Sequence, residues 1–173
     1  METIQLKKLI YNHYDLDVNN LKKLNGYDTE NFLVHCKDES KYILKKYPFS
    51  NENLSLVKAE NNCLEYLRKR NKSSYPSPIY TTNKDSFVTV KIKSKKYIVR
   101  LLSYLDGVFL GELDLKRQNL KKVGRFIGNL SKELKNYSND SIASRKWPWD
   151  IQNLSLNKKY LKYIPDPTDR KIV

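Results

Sequence analysis

Short runs of apolar residues recur through much of the first hundred residues, and this pattern predicts β-strands. Turn-forming residues separate the runs, with Asn-Gly-Tyr-Asp at 25–28 giving the strongest turn signal. We therefore expect an antiparallel sheet of four strands, or five if a weaker first run is counted. The predicted strands are 31–36, 41–46, 86–92 and 97–102, and the weaker run is 18–24.

Apolar residues spaced three and four apart predict helices in the remaining segments. The best of these periods lies in the second half of the chain, where Asp114 is expected to cap a long helix. A helix inserted between the second and third predicted strands has a face formed by Val57, Glu60, Leu64 and Leu67. The predicted helices are 3–14, about 54–70, 115–136 and, after a Trp-Pro-Trp corner at 147–149, a short one at 150–164.

The last six residues resemble the first turn of another helix. Thr168 has the chemistry of an N-cap, and Asp169 to Val173 would follow it as the first turn. A helix that starts and then stops after one turn suggests an incomplete chain, and the alternative is a frayed natural terminus.

Composition narrows the class of protein. The 173 residues carry 33 Lys and Arg against 19 Asp and Glu, a formal net charge of +14, yet the lysines are scattered along the whole chain. The densest basic cluster, 91–96, falls where a hairpin turn is expected, so nucleic-acid binding is not favoured. No apolar run is long enough to span a membrane, and Cys36 and Cys63 have no metal or redox spacing. These features predict a cytoplasmic protein that does not bind a membrane.

Glu60 is the most informative single residue, because it is a carboxylate on the apolar face of its predicted helix. Buried carboxylates are rare without a partner cation. The strand 41–46 offers Lys45, with Lys46 as a competitor on the opposite face. A strand lysine paired with a helix glutamate clamps phosphate groups in protein-kinase-like folds. The alternative is an exposed Glu60 and a solvated Lys45.

Five stretches in one order resemble the amino-terminal part of a known enzyme family. They are 24–34, 41–45, Glu60 with Leu67, 97–107 and 123–130. On these stretches, residues 15–173 resemble the aminoglycoside phosphotransferase/choline kinase-like family, and within it the hydroxylysine kinases. The resemblance implies an α+β fold: a protein-kinase-like N-lobe at 1–102, with about five antiparallel strands and one helix, a hinge at 103–107, and an incomplete helical second lobe at 108–173.

The resemblance also implies roles for individual residues. Lys45 would contact the α- and β-phosphates of ATP, and Glu60 would hold Lys45. The Ser103 carbonyl and the Leu105 N–H would bind the adenine edge. Leu44, Ile79 and Leu102 would lie beside the ring. The loop covering the phosphates would include Gly26, Tyr27, Asp28 and Asn31.

The sequence departs from the family at the catalytic step. Members carry a His-Gly-Asp loop and a later Asp-x-Asp that supply the base and hold Mg²⁺, whereas the two histidines here, His13 and His35, begin no such loop. No catalytic or metal-ligating residue is therefore predicted, and Mg-ATP belongs to the full-length family. We expect the ATP-binding portion of a kinase that phosphorylates an amino-alcohol such as hydroxylysine or an aminoglycoside, inactive alone. The alternatives are a stand-alone basic binding or regulatory module, and half of a two-chain kinase whose catalytic lobe acts in trans.

Overall fold

The structure is a computed structural model that describes residues 2–70, 75–147 and 149–172. The chain forms two compact units, Met1–Asn139 and Asp140–Val173. Within the described part of the chain, no helix has the length and apolar character needed to cross a membrane.

The first unit is built on a single antiparallel sheet of six strands. The neighbours run in the order β1-β2-β3-β6-β4, and β5 also pairs with β6. The predicted meander is thus confirmed, and β4 is the strand that the sequence did not reveal, since two residues are too few to show alternation. The strands are β1 (Val18–Leu24), β2 (Glu30–Cys36), β3 (Lys41–Pro48), β4 (Pro78–Ile79), β5 (Val88–Ile92) and β6 (Lys95–Ser103).

One face of the sheet is covered by the amino-terminal helix α1 (Glu2–Tyr14). Leu6 and Ile10 of α1 are fully buried in the main core, where they meet the inward side chains of the strands, such as Leu44 and Leu101. Side chains alternate between the two faces of a strand, so the residues next to Leu44 in β3 and next to Leu101 in β6 point to the other face of the sheet. The main core therefore fixes which face of β3 and β6 remains for other contacts.

Helix α2 (Asn51–Arg68) packs on the opposite face, and the side chain of Ser50 caps its first turn by accepting a hydrogen bond from the Asn53 N–H at 3.0 Å. Its core is small and centres on Val57, which packs against Tyr47 of β3 and Ile98 of β6. Tyr47 and Ile98 are register partners near one end of this strand pair. The apolar face predicted for this helix is only partly correct, because Leu64 is half-buried and the polar Asn61 is fully buried.

The long helix of the second half, α3 (Arg117–Leu134), follows a short 3₁₀ turn at Leu110–Glu112. The predicted cap at Asp114 is wrong, since the N-cap residue is Lys116, whose side chain makes no capping hydrogen bond. Asp114 lies too far from the first turn, and its carbonyl instead accepts from the Lys116 N–H at 3.0 Å. Of the apolar stripe expected on this helix, Leu120 and Ile127 are 54% and 55% exposed, whereas Val123, Leu130 and Leu134 are half-buried.

The second unit contains only short helical segments. A 3₁₀ helix at Ile151–Tyr163 is capped by Asp150, close to the predicted bounds, with a break in helical geometry at Asn153. Helix α4 (Asp140–Ala143) precedes it, and α5 (Asp169–Ile172) begins directly after Thr168, at the predicted boundary. The predicted corner at 147–149 includes Pro148, which lies outside the described residues.

Candidate functional site

Three pairs of residues on β3 and β6 define the face on which the candidate site lies. Tyr47 and Ile98 form the first pair, under helix α2. Lys45 and Arg100 are the second pair, and Ile43 and Leu102 are the third. Their side chains share one face of the sheet, because the residues are spaced by two along each strand. This face therefore changes from an apolar contact with α2, through two cations, to an apolar surface.

A cavity of about 430 Å³ lies over the third pair, at the end of the sheet that α2 leaves uncovered. Its lining is mostly apolar and includes Leu24, Ile43 and Leu102, and among the described residues around it Lys45 is the only charged one. This volume is within the usual range of small-ligand pockets, and an apolar wall with one polar group at its end is their usual chemistry. The arrangement suits a flat apolar ring attached to an anionic group.

The segment after β6 forms one side of this cavity. Ser103 and Leu105 both line the cavity. Ser103 is anchored by Ser77, since the Ser103 N–H donates to the Ser77 carbonyl and the Ser77 N–H donates to the Ser103 hydroxyl, each at 2.9 Å. Among the described residues, none accepts a hydrogen bond from the Leu105 N–H. The hydrogen bonds to Ser77 fix the end of β6, and the Leu105 N–H after it can donate a hydrogen bond to the edge of a planar ligand.

Two of the three predicted ring neighbours are wrong. Leu44 is fully buried on the opposite face of the sheet, in the core with α1. Ile79 of β4 also packs against that core. The physical reason is strand alternation: Leu44 cannot share a face with its neighbour Lys45. Leu102 does line the cavity, and Leu24 and Ile43 are the neighbours that we did not predict.

Lys45 lies between the cavity and helix α2. Its ammonium donates a hydrogen bond to the Asn31 side-chain oxygen at 3.0 Å. Burial lowers the pKa of Lys45, and the nearby Arg100 charge lowers it further, while the Glu60 and Asp28 carboxylates partly oppose both. Lys45 is therefore a cation under desolvation and repulsion, which an anionic ligand would relieve.

Glu60 does have a cationic partner from within the core, as its place on the helix predicted, but the partner is not Lys45. Its carboxylate bonds to the guanidinium of Arg100, and the Tyr47 hydroxyl is 3.5 Å away. The predicted Lys45–Glu60 pair is therefore wrong for this structure. Arg100 stands opposite Lys45 in the sheet and presents a planar fork, which binds a carboxylate better than a lysine does. A single arginine within the apolar run 97–102 was the signal that sequence analysis missed.

The loop between β1 and β2 lies over the same end of the sheet. Asn31 joins its parts: the Thr29 hydroxyl donates to the Asn31 side-chain oxygen at 3.2 Å, and the Asn31 amide donates to the Asn25 carbonyl at 3.5 Å. Gly26, Tyr27 and Asp28 line a second cavity of about 290 Å³, and the Tyr27 side chain is 77% exposed. The structure thus brings Asn31 into contact with Lys45, whereas Gly26, Tyr27 and Asp28 come before Asn31 in the loop and line the second cavity.

Gly26 is required by a close approach of the backbone. A methyl group added there would overlap the Thr29 carbonyl oxygen and the Asn31 amide. We expect Gly26→Ala to open the loop, weaken the contact between Asn31 and Lys45, and increase amide hydrogen exchange across 25–31. Gly107→Ala is the matched control, since a methyl there meets nothing within 4 Å. Equal exchange in the two variants would contradict this account of the loop.

Lys46, the alternative partner considered for Glu60, makes its contacts on the other face of the sheet. Its side chain is only 2% exposed, its ammonium lies 2.6 Å from a Glu30 oxygen, and it lies over the Tyr97 ring at 4.5 Å. Burial acts to raise the pKa of Glu30, but hydrogen bonds from Lys46 and Lys23 outweigh it and lower the pKa. Lys45 is therefore the lysine of this strand that is placed for a ligand in the larger cavity.

The described residues contain no group of three His, Cys, Asp or Glu side chains that could hold a metal ion. His13 lies in α1 and His35 in β2. The one Asp-x-Asp triplet in the sequence, 15–17, precedes β1, and its Asp17 pairs with Lys37 at 2.7 Å on the surface. The residues of this chain therefore do not fit the Mg²⁺ site of the family.

Comparison with known proteins finds curated relatives whose sequences are similar to this chain over nearly its whole length. A scan against protein-family models finds no match. Hydroxylysine kinase of Mus musculus is 25% identical over 186 residues, covering 98% of this chain and 49% of the relative. Hydroxylysine kinase of Bos taurus is 27% identical over 188 residues, with the same two coverages. The chain spans about half the length of the curated relatives it matches.

Two solved structures have the same fold. An amicoumacin kinase in complex with AMP-PNP, Ca²⁺ and Ami superposes with a TM-score of 0.69 at 16% identity, covering 96% of this chain and 48% of that one. A microcompartment-associated aminopropanol kinase superposes with a TM-score of 0.64 at 20% identity, covering 85% and 45%. The expected similarity to the hydroxylysine kinases is confirmed in these terms. The chain is a homologue of the hydroxylysine kinases, with the protein-kinase-like fold of small-molecule kinases.

Proposed function

We propose that this chain is the ATP-binding portion of a small-molecule kinase. The adenine ring would lie in the 430 Å³ cavity between Leu24, Ile43 and Leu102. The Ser103 carbonyl and the Leu105 N–H would bind its edge, because both residues line the cavity and the strand end is held by Ser77. Backbone groups at a fixed spacing recognise a planar heterocycle without a charged side chain.

The phosphates would extend from the ring toward Lys45, the charged residue at the cavity wall. In the ligand-free site, Lys45 already contacts Asn31 of the covering loop at 3.0 Å. Phosphate oxygens would attract the loop amides of residues 26–31 and the Lys45 ammonium together. The observation that carries the proposal is this one: an apolar cavity of nucleotide size with a single lysine at its end.

The reaction that we propose is transfer of the γ-phosphate to the hydroxyl of an amino-alcohol. The relatives are named for hydroxylysine, aminopropanol and amicoumacin, which supports this class of acceptor. We place the N-lobe at 1–102, the hinge at 103–107 and the start of the second lobe at 108–173. The sequence contains no His-Gly-Asp. The base and metal ligands would have to come from residues outside these 173, in the same polypeptide or in a second chain, and the chain alone would have little or no kinase activity.

The charge of Lys45 provides the direct test. Lys45→Met is expected to weaken ATP binding by about 10- to 100-fold, since a hydrogen bond to a charged group contributes roughly 1.5–3 kcal/mol. Lys91→Met is the matched control, because Lys91 is an exposed lysine on β5 whose loss removes the same charge. Isothermal titration calorimetry with ATP measures both dissociation constants. Equal weakening in the two variants would show that only net charge matters, and the proposal would fail.

A further inference from the structure

The residue that links helix α2 to the sheet at the candidate site is Arg100. Its side chain is 2% exposed and lies in the centre of the β3–β6 pair. Besides Glu60, its guanidinium donates to the Tyr47 hydroxyl at 2.7 Å and to the Asn61 side-chain oxygen at 2.5 Å. Glu60 and Asn61 are consecutive residues of α2, so one arginine fixes both the position and the rotation of this helix over the sheet.

This arrangement leaves Lys45 with a neutral hydrogen-bond partner. Four groups face its ammonium: Arg100 from β6, Glu60 from α2, Asp28 from the loop and Asn31 from β2. The Glu60 carboxylate is bonded to Arg100, and its influence on Lys45 is through space. Lys45, Arg100, Glu60 and Asp28 are two cations and two carboxylates, so the charges of this group sum to zero.

We propose that Arg100 is a positioning residue of the phosphate-binding end: it holds Glu60 on α2 and thereby leaves the Lys45 ammonium uncommitted to an ion pair, ready for an anionic ligand. The inference rests on the proposed function for the identity of that ligand, a nucleotide polyphosphate. The charge arrangement itself does not depend on the ligand. A lysine already paired with a carboxylate would have to give up part of that attraction on binding phosphate, whereas Lys45 gives up only a hydrogen bond to an amide.

Substitution of Arg100 is expected to change the cation that pairs with Glu60 from Arg100 to Lys45. In Arg100→Met, a side chain of similar length without charge, Glu60 loses its partner, and Lys45 is the nearest cation on the same face. The pKa of Lys45 is then expected to rise, because the repelling guanidinium is gone and the carboxylate is available. ATP binding is expected to weaken on the order of tenfold, since one positive charge is lost and Glu60 competes with the phosphates for Lys45. Arg100→Lys keeps the charge and should keep the Lys45 pKa close to that of the wild type.

The test is a pH titration of ¹³C-dimethylated lysines by NMR in the ligand-free 173-residue chain, with the Lys45 signal assigned by its loss in Lys45→Arg. The expected result is a Lys45 pKa below that of free lysine in the wild type and a higher one in Arg100→Met. A wild-type value above free lysine, or no rise in Arg100→Met, would overturn the inference.

Should Arg100→Met fail to fold, Glu60→Gln decides in its place, because the amide can still accept from Arg100. An ATP affinity of Glu60→Gln within about threefold of the wild type would support the inference. A loss of affinity as large as that of Lys45→Met would show that the Glu60 carboxylate positions Lys45 directly, and would overturn it. The pKa titration needs no nucleotide. A chain that shows the expected Lys45 pKa values without binding ATP would refute the proposed function and leave the role of Arg100 standing.

Discussion

Ile43→Trp is expected to abolish ATP binding and leave the chain folded. Ile43 is half-buried on the wall of the 430 Å³ cavity, directly opposite Leu102, which lines the same wall. A tryptophan there would extend into the cavity, which lies over β3 and β6 beside the segment after β6. The ligand ring could enter only by displacing it, so we expect binding at least about 100-fold weaker in calorimetry with ATP. Because Ile43 faces a cavity, the larger side chain needs little rearrangement of the core.

Tyr42→Trp is the matched control for this prediction. Tyr42 is the preceding residue of the same strand, is half-buried, and packs on the opposite face against the core with α1. Its substitution adds bulk to β3 without touching the cavity, and ATP affinity should stay within about threefold of the wild type. Unchanged ATP binding in Ile43→Trp would mean that the base lies elsewhere on the molecule.

Glu60→Ala is expected to cause a large loss of stability. It leaves the guanidinium of Arg100 buried without its carboxylate, and a buried charge without a partner is strongly unfavourable. We expect the free energy of unfolding to fall by about 2–4 kcal/mol, less than the ~3–5 kcal/mol typical of a fully buried pair, because the Glu60 side chain is 33% exposed. Urea denaturation followed by circular dichroism measures this loss.

Glu52→Ala provides the comparison on the same helix. Glu52 lies in the first turn of α2 and is exposed, so its loss removes a favourable contact with the helix dipole of only about 0.3–1 kcal/mol. In the double variant Glu60→Leu with Arg100→Met, the remaining charge is gone as well, and part of the stability should return. A loss in Glu60→Ala no larger than in Glu52→Ala would contradict the role of Arg100 as a buried cation held by Glu60.

Most of the sheet could be predicted from the sequence because its strands are short apolar runs bounded by turn residues. β2 and β3 are such runs, and the turn residues at 25–28 mark where β1 ends. β4 could not be predicted in this way, since Pro78 and Ile79 are too few to show a period. Its pairing with β6 depends on a contact that only the folded chain provides.

The candidate site could be predicted only in part, because its residues come together through register. The period of β3 placed Lys45 and Ile43 on one face, but which face lies toward α2 depends on how α1 packs. Leu44 was assigned to the ring through the resemblance, although strand alternation separates it from Lys45, and it lies in the opposite core. The place of Glu60 on its helix predicted a partner cation, yet only Lys45 and Lys46 were considered, and Arg100 was missed. The pairing of β3 with β6 made Arg100 the partner.

We propose that a nucleotide binds along the segment after β6 with its phosphates at Lys45. The most direct measurement is an amide NMR titration of the ¹⁵N-labelled chain with ATP. The account predicts that the signals of Ser103, Leu105 and Asn31 shift together and saturate at one equivalent, and that the basic hairpin at 91–96 stays unchanged. Shifts confined to that hairpin, or none at millimolar ATP, would contradict it.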